Sequence, residues 1–309
     1  MRFFSFAFWV YYCIFIGMRH LRFITAIDGG GIRGILPLKI LEYINERLAV
    51  FEGNHTLHSL TDMVAGTSTG ALISAAIIAE HSPGIPRFSP ADLLGLYAHQ
   101  GPQIFSKNRP VNSSPLKIVL ESSFGEMTLS DLKKHFLFVS YDELGQEPFV
   151  FSDRMSKYRD VRLSKALLAS SAVRPYFNPV EINGKLLSDG VVTAKNPAAL
   201  AYHYAKAYFP DDLIVLLSFG TGALPESAHD SIEHKVLETH LHLLDESLNN
   251  WQLMYYRFEP GLYGASIDMD DTSESNIHAL ISAGDRYLDN NHPMIDAVIS
   301  KLMRLKGQL

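Results

Sequence analysis

Two short apolar runs in the first eighty residues each end in a glycine turn, and each turn opens into a helical pattern. The first, "RFITAI" (22–27), is β-branched and aromatic and is closed by Asp28 and the glycines of "DGGGIRG", so it reads as a strand. Residues 34–51 then carry Leu38, Leu41, Ile44 and Leu48 at helical spacing, with Pro37 tolerated in a first turn. The second run, "DMVAG" (62–66), passes directly through "TSTG" into the small-residue helix "ALISAAIIAEH". Strand, glycine turn and helix, repeated in this way, predict a mainly parallel sheet with helices on its faces.

The rest of the chain extends this pattern. Residues 81–115 are rich in Pro, Gly, Ser and Asn around one helical piece, "ADLLGLYAHQ", and read as a lid or mouth or as a plain surface excursion. "HFLFVSYDE" and "PFVFSD" flank "LGQE" as neighbouring strands, and "LSKALLASSAV" (163–173) is helical. "INGKLLSDG" (182–190) turns at Asn183-Gly184 into a short strand that ends at Asp189. "NPAALAYHYAKAYF" is a helix, and "DLIVLLSFGTG" (212–222) is the most apolar strand, which suits a central position. Beyond residue 223 the chain reads as mainly helical, with a helix opened by Asp271 and Glu274 at capping-box spacing. No repeat or clear linker divides it, so residues 19–309 are expected to form one domain.

Composition narrows the function. Of 309 residues, 47% are hydrophobic and 19% charged, enough for a large core, and the net charge is −6. Without a basic face the chain is a poor nucleic-acid binder. Cys13 is the one cysteine, which excludes an internal disulfide and a cysteine-based zinc site. Residues 1–18 form a separate apolar, aromatic segment, slightly short for a span of roughly 20 residues. It reads either as a membrane anchor, with Trp9, Tyr11 and Tyr12 at headgroup level, or as an extension upstream of a working start at Met18. A cleaved secretory signal is the weaker reading, because no A-x-A-like site follows.

"GTSTG" is a G-x-S-x-G elbow, with Ser68 between Gly66 and Gly70. A tight strand-to-helix turn would expose the Ser68 hydroxyl, and the following helix N-terminus would favour negative charge beside it. The alternative is a serine cap before an Ala-rich helix. The first loop also fits a dinucleotide fingerprint, Gly29-x-Gly31-x-x-Gly34. However, Glu52, near the spacing expected of a ribose-binding acid, follows a helix rather than a strand. The same glycines could converge several N–H groups on one developing oxyanion, with Arg33 adding positive potential, or could form an unliganded turn. A nucleophilic serine needs a base. Asp189, at a strand end before Gly190, is one candidate, and the late histidines His240, His242, His278 and His292 are others. His234, Glu238 and His242 share a helical face that reads as a solvated surface before a metal site, and "DMDD" (268–271) reads as a polar turn.

"DGGGIRG", "GTSTG" and "DGV", in that order, resemble the patatin-like phospholipase family, whose motifs are G-G-G-x-[RK]-G, G-x-S-x-G and D-G-[GA]. The resemblance extends through "FSDRMSKYRDVRLSKALLASSAVRPYFNPV", "NPAALA" and "LLSFGTG" and covers about residues 22–222. It implies a three-layer α/β/α sandwich with a mainly parallel central sheet. It makes Ser68 the nucleophile and Asp189 its base, with Gly29, Gly30, Gly31 and Arg33 around the oxyanion. Gly34, Gly66, Gly70 and Gly190 complete the motifs. Val191 departs from the family's usual small residue. The activity implied is hydrolysis of phospholipid or lysophospholipid acyl esters at a membrane surface, without metal or organic cofactor. The chain would then be cytoplasmic or membrane-associated, and secretion stays open. A dinucleotide-dependent oxidoreductase, an acyltransferase with the same dyad, a Ser–His–Asp esterase and a non-catalytic binding or storage protein are the alternative readings.

Overall fold

The structure is a computed structural model that describes residues 20–51, 53, 55–104, 114–224, 227 and 230–307. The apolar segment at 1–18 and the ribose-site candidate Glu52 lie outside these residues. Eight strands form one sheet in the order β10–β9–β1–β2–β5–β8–β7, with β6 beside β5. Five of them run parallel: β1 (Leu21–Ile27), β2 (Met63–Thr67), β5 (His135–Asp142), β9 (Leu213–Phe219) and β10 (Leu253–Phe258). The others, β6 (Glu147–Ser152), β7 (Val180–Ile182) and β8 (Lys185–Asp189), join through antiparallel pairs. A small hairpin of β3 (Glu80–Ser82) and β4 (Ile85–Pro86) stands apart.

Both faces of the sheet are covered, and the strands divide their side chains with the period of two that a pleat imposes. Phe23 and Ile27 of β1, Val64 of β2, and Val215, Leu217 and Phe219 of β9 face one core. That face is packed by α1 (Ile35–Ala49), α3 (Thr69–Ile78), α4 (Pro90–Ile104), α5 (Ser114–Phe124), α6 (Leu163–Ser170) and α10 (Glu274–Lys306). Ile24, Ala26, Met63, Ala65, Ile214 and Leu216 face the other core, beneath α8 (Ala198–Tyr208) and α9 (Ser231–Asn249). Two single turns, α2 (Leu57–Leu60) and α7 (Val191–Ala194), complete the set. The result is a three-layer α/β/α sandwich with a mixed, mostly parallel sheet.

The structure departs from the sequence reading in two places beyond residue 223. "LMYYRF" is strand β10, which pairs with β9 and supplies the edge of the sheet, so this portion is not helical throughout. The last helix is capped by Ser273, whose hydroxyl accepts from the Asn276 N–H, rather than by Asp271. Asp271 instead accepts from the Ser273 N–H and hydroxyl, and so holds the cap from outside the helix. Among the described residues, no helix is long and apolar enough to cross a membrane.

Parallel strands place their carboxyl ends along one edge, and the loops that matter leave from there. β1 delivers Asp28 and the glycines, β2 delivers Ser68, and β9 delivers Thr221. The first two loops touch because Gly70 lies against β1, where a Cβ would overlap the Ile27 carbonyl oxygen and come within 2.7 Å of the Asp28 carbonyl oxygen. Gly70→Ala is therefore expected to cost about 2–3 kcal/mol or more in denaturant unfolding. Gly95→Ala, in α4 with open space around its α-carbon, is expected to gain up to about 1 kcal/mol.

Candidate active site

Ser68 joins β2 to α3 with φ 55° and ψ −124°. A serine at positive φ is strained, and it persists here because its surroundings over-determine it. Gly66 and Gly70 pack so closely that a Cβ on Gly66 would overlap the Gly70 carbonyl. The Ser68 N–H donates to Ser170 Oγ at 3.2 Å, and that hydroxyl donates to the Val139 carbonyl at 2.5 Å. Thr67 Oγ1 donates to the Ala194 carbonyl at 2.6 Å. The elbow is thereby fixed to β5, to the end of α6 and to α7.

Strand register brings Asp189 to the same level. Thr67 pairs with Val139 of β5, and Ser140, one residue on, pairs with Asp189 of β8. Asp189 is 4% exposed, and its Oδ1 accepts from the Val191 N–H at 2.8 Å. Burial pushes its carboxyl up to about 6, while hydrogen bonds from the Ser68 hydroxyl and the Val191 N–H pull the other way. Gly190 is required by close approach, because a Cβ there would overlap the Val139 carbonyl oxygen. Val191 contributes its backbone to this site, so its side chain leaves the bond to Asp189 intact.

The glycine loop is clamped on both sides. The Gly29 N–H donates to the Lys195 carbonyl at 3.0 Å, and the Gly29 carbonyl accepts from Thr221 Oγ1 at 2.7 Å. A Cβ on Gly29 would stand 3.5 Å from Ser68 Cβ, so loop and elbow are in contact. Gly30 abuts Thr221, and Gly31, at φ 57°, abuts the Met269 carbonyl, which also accepts from the Ile32 N–H at 2.9 Å. Gly34 leaves room for Thr69 and Tyr97. Among the described residues, the N–H groups of Gly30 and Gly31 have no acceptor, whereas that of Gly29 is engaged. Arg33 is 5% exposed, with Nε and Nη1 unpartnered. Burial pushes its pKa down, and the surrounding carboxylates, chiefly Glu233 and Glu259, hold it up.

Ser68 and Gly31 open onto a cavity whose walls are almost wholly apolar. Leu72 and Ile73 of α3, Leu93 and Leu96 of α4, Leu116 and Leu120 of α5, and Phe88 line it, so residues within 88–104 and 116–124 form much of its wall. No histidine lines it. His240 faces the Tyr255 hydroxyl at 3.2 Å and lines a different cavity. His242 is exposed on α9, and His278 and His292 lie along α10. Among the described residues, no group of three or more His, Cys, Asp or Glu could hold a metal ion, the His234–Glu238–His242 face included. Protein fills the space beside the α-carbons of Gly30 and Gly31, where a pyrophosphate would have to approach.

Several contributors carried no signal in the sequence. Ser170, Thr221 and Met269 act through single hydrogen bonds or backbone contacts made across long separations. The Tyr97 hydroxyl, which bonds to Thr69 directly after the elbow, looks in the sequence like any aromatic on a helix.

This architecture of elbow, glycine loop and apolar cavity belongs to a class of α/β acyl hydrolases. The family model for patatin-like phospholipase matches residues 25–202, and the chain belongs to that family. Patatin-17 of Solanum cardiophyllum is 26% identical over 324 residues, covering 86% of this chain and 83% of that one. Patatin-like protein 2 of Arabidopsis thaliana is 30% identical over 207 residues, covering 58% of this chain and 51% of that one. The solved structure of human GIVD cytosolic phospholipase A2 shares the fold, with a TM-score of 0.54 at 10% identity. That match covers 92% of this chain and 60% of the human one. Family and fold together support a lipid acyl hydrolase.

A buried carboxyl whose folded pKa is raised disfavours folding wherever it is ionised. The penalty is absent below its unfolded value of 3.8 and complete above about 6. Asp189→Asn keeps the bond from Val191 and removes the charge. It is expected to raise unfolding stability at pH 7.5 by about 1–3 kcal/mol, with the gain vanishing near pH 4 in denaturant titrations.

Proposed function

We propose that the chain is a serine acyl hydrolase of the phospholipase A or lysophospholipase type, acting on acyl esters of membrane lipids. The observation that carries this reading is a strained serine lining an apolar cavity, beside a buried aspartate that no cation among the described residues neutralises. The acyl chain lies among the leucines of α3, α4 and α5, and the ester carbonyl reaches Ser68. Ser68 Oγ attacks the carbonyl carbon as Asp189 takes its proton. The carbonyl oxygen becomes an oxyanion, and the free N–H groups of Gly30 and Gly31 donate to it. The Gly29 amide orients the loop from behind, and Arg33 contributes positive potential without lining the cavity. As the tetrahedral adduct collapses, Asp189 returns the proton to the leaving alkoxide, and the lysolipid or glycerol-phosphate alcohol departs. Water then attacks the acyl-Ser68 ester, giving its proton to Asp189, and as the adduct collapses Asp189 passes that proton to the departing Ser68 Oγ, which frees the fatty acid and restores the serine and the carboxylate.

Asp189 suits this role because it is raised yet ionised at neutral pH. A carboxylate at its ordinary pKa of about 3.9 is a poorer base for a hydroxyl than one near 6. No step requires a metal or an organic cofactor. Amphiphilic substrates place the enzyme at a membrane surface, in the cytoplasm or on the membrane itself. An acyltransferase would use the same acyl-Ser68 ester and differ only in the acceptor.

Turnover of a short-chain p-nitrophenyl ester and of phospholipid in mixed liposomes tests the assignment. Ser68→Ala and Asp189→Asn are each expected to lower kcat by about 10³-fold or more while preserving the fold. Wild-type rates in both folded variants would overturn it. Because Asp189 acts ionised, kcat/KM is expected to be level above about pH 6 and to fall tenfold per pH unit below it. An acid limb unchanged by environment, near pH 4, would point to a different base.

A further inference from the structure

A second cavity lies between the glycine loop and α9, apart from the one that holds Ser68, and Asp28, Lys195, Glu233, Arg257 and Glu259 line it. Every one of these charges is paired: Lys195 with Glu233, and Arg257 with both Asp28 and Glu259. The centre of the network is Arg257, in the last turn of strand β10. Its Nη1 donates to Asp28 Oδ1 at 2.9 Å and to Ser218 Oγ at 2.8 Å, and its Nη2 donates to Asp28 Oδ2 at 2.6 Å and to Glu259. Both side chains of the fork are buried, Arg257 at 5% and Asp28 at 2% exposure.

Asp28 is the residue directly before Gly29, so whatever holds it holds the start of the loop. Its N–H donates to the Phe219 carbonyl at 3.0 Å. Glu259, two residues past Arg257, accepts from the Gly222 N–H at 3.1 Å and so fixes the turn from which Thr221 reaches the Gly29 carbonyl. The end of β10 therefore grips the loop twice, once through its first side chain and once through the neighbouring turn. Charge adds a second reason. A lone carboxylate at position 28 would sit directly behind amides that must receive a negative oxygen, in an interior that screens poorly. A bidentate guanidinium both cancels that charge and fixes its position, which a lysine cannot do with one point charge.

We propose that Arg257 is a positioning residue for ester hydrolysis: its fork on Asp28 sets the Gly30 and Gly31 amides in place and offsets the negative charge behind the oxyanion. This inference rests on the serine hydrolase reading above. It also assigns a role in the reaction to a strand outside the residues that the family model matches.

The test uses the full chain with Arg257→Met, Arg257→Lys, Asp28→Asn and the double variant Asp28→Asn/Arg257→Met, each checked for fold by thermal unfolding. Turnover of a short-chain p-nitrophenyl ester is compared with inhibition by a trifluoromethyl ketone, which adds Ser68 to form an oxyanion, and by its methyl ketone counterpart. Arg257→Met is expected to lower kcat about 10–100-fold with KM within twofold, and to weaken the trifluoromethyl ketone in parallel but not the methyl ketone. Arg257→Lys is expected to recover only part of the loss. The double variant, with the exposed carboxylate gone, is expected to exceed Arg257→Met in kcat at least fivefold. A folded Arg257→Met with wild-type kcat, or equal weakening of both ketones, overturns the proposal. If the wild type shows no Ser68-dependent turnover, the hydrolase reading fails separately, and amide hydrogen exchange then decides the clamp. Exchange at the bonded amides of Gly29, Ile32 and Arg33 is expected to accelerate at least tenfold in Arg257→Met while β1 and β2 stay protected, and unchanged exchange overturns the clamp.

Discussion

Everything at this site depends on two backbone turns touching at the carboxyl ends of neighbouring parallel strands. Gly70 lies against the carbonyls of Ile27 and Asp28, and Gly29 lies against the Ser68 side chain. A Cβ at Gly70 would overlap the Ile27 carbonyl oxygen and force the backbone to shift, and one at Gly29 would press on the Thr67 carbonyl oxygen at 3.3 Å. Because β1 and β2 are held in register from Ile24–Met63 to Ile27–Gly66, neither turn can slide to relieve a clash. The strain at Ser68 is stored against that rigid frame. Ser170, Thr67 and the α3 N-terminus fix the backbone around the serine from three sides.

Burial raises the carboxyls of two aspartates within this frame to about 6, but the two are held by different partners. Asp28 receives a forked arginine, and Arg257 is in turn held above its ordinary pKa because its facing carboxylates outweigh the cost of burial. Asp189 receives only a backbone N–H and a serine hydroxyl, so burial dominates and its carboxyl rises to about 6. The first arrangement ties down backbone through a fork of two hydrogen bonds. The second suits a group that must take a proton and release it. Exchanging the two environments would leave a base locked to a guanidinium and a loop with nothing to hold it.

Much of the fold could be read from the sequence because it is written in local periodicity. The apolar runs at 22–27, 63–67 and 213–219 alternate between two cores, and both glycine turns stand where strand becomes helix. The Asn183-Gly184 turn carries the positive φ at both residues that such a dipeptide signals. Sequence motifs mark Ser68 and Asp189, and strand register brings the Ser68 turn and Asp189 to the level of Ser140. What escaped was non-local. The Gly29 amide looks equivalent to its neighbours until the Lys195 carbonyl occupies it from 166 residues away. β10 lay within a polar, helix-rich stretch, although "LMYYRF" alternates in the manner of a strand. Its lone arginine among aromatics was a legible clue, since a charge in such a run must find a partner.

That arginine changes how the last third of the chain relates to the rest. Beyond residue 223 the chain could be taken as a helical cap on a finished domain. Instead β10 completes the sheet beside β9, and α10 lies along α1, the helix that begins where the glycine loop ends. Met269, in the turn between them, accepts from Ile32 and packs on Gly31. The loop is thus enclosed by β10 on one side and by the approach to α10 on the other. Both sides therefore bear on how its backbone is held. The family motifs supply the serine, the aspartate and the glycines, but the geometry that could make those glycines a site is imposed by residues that no motif contains.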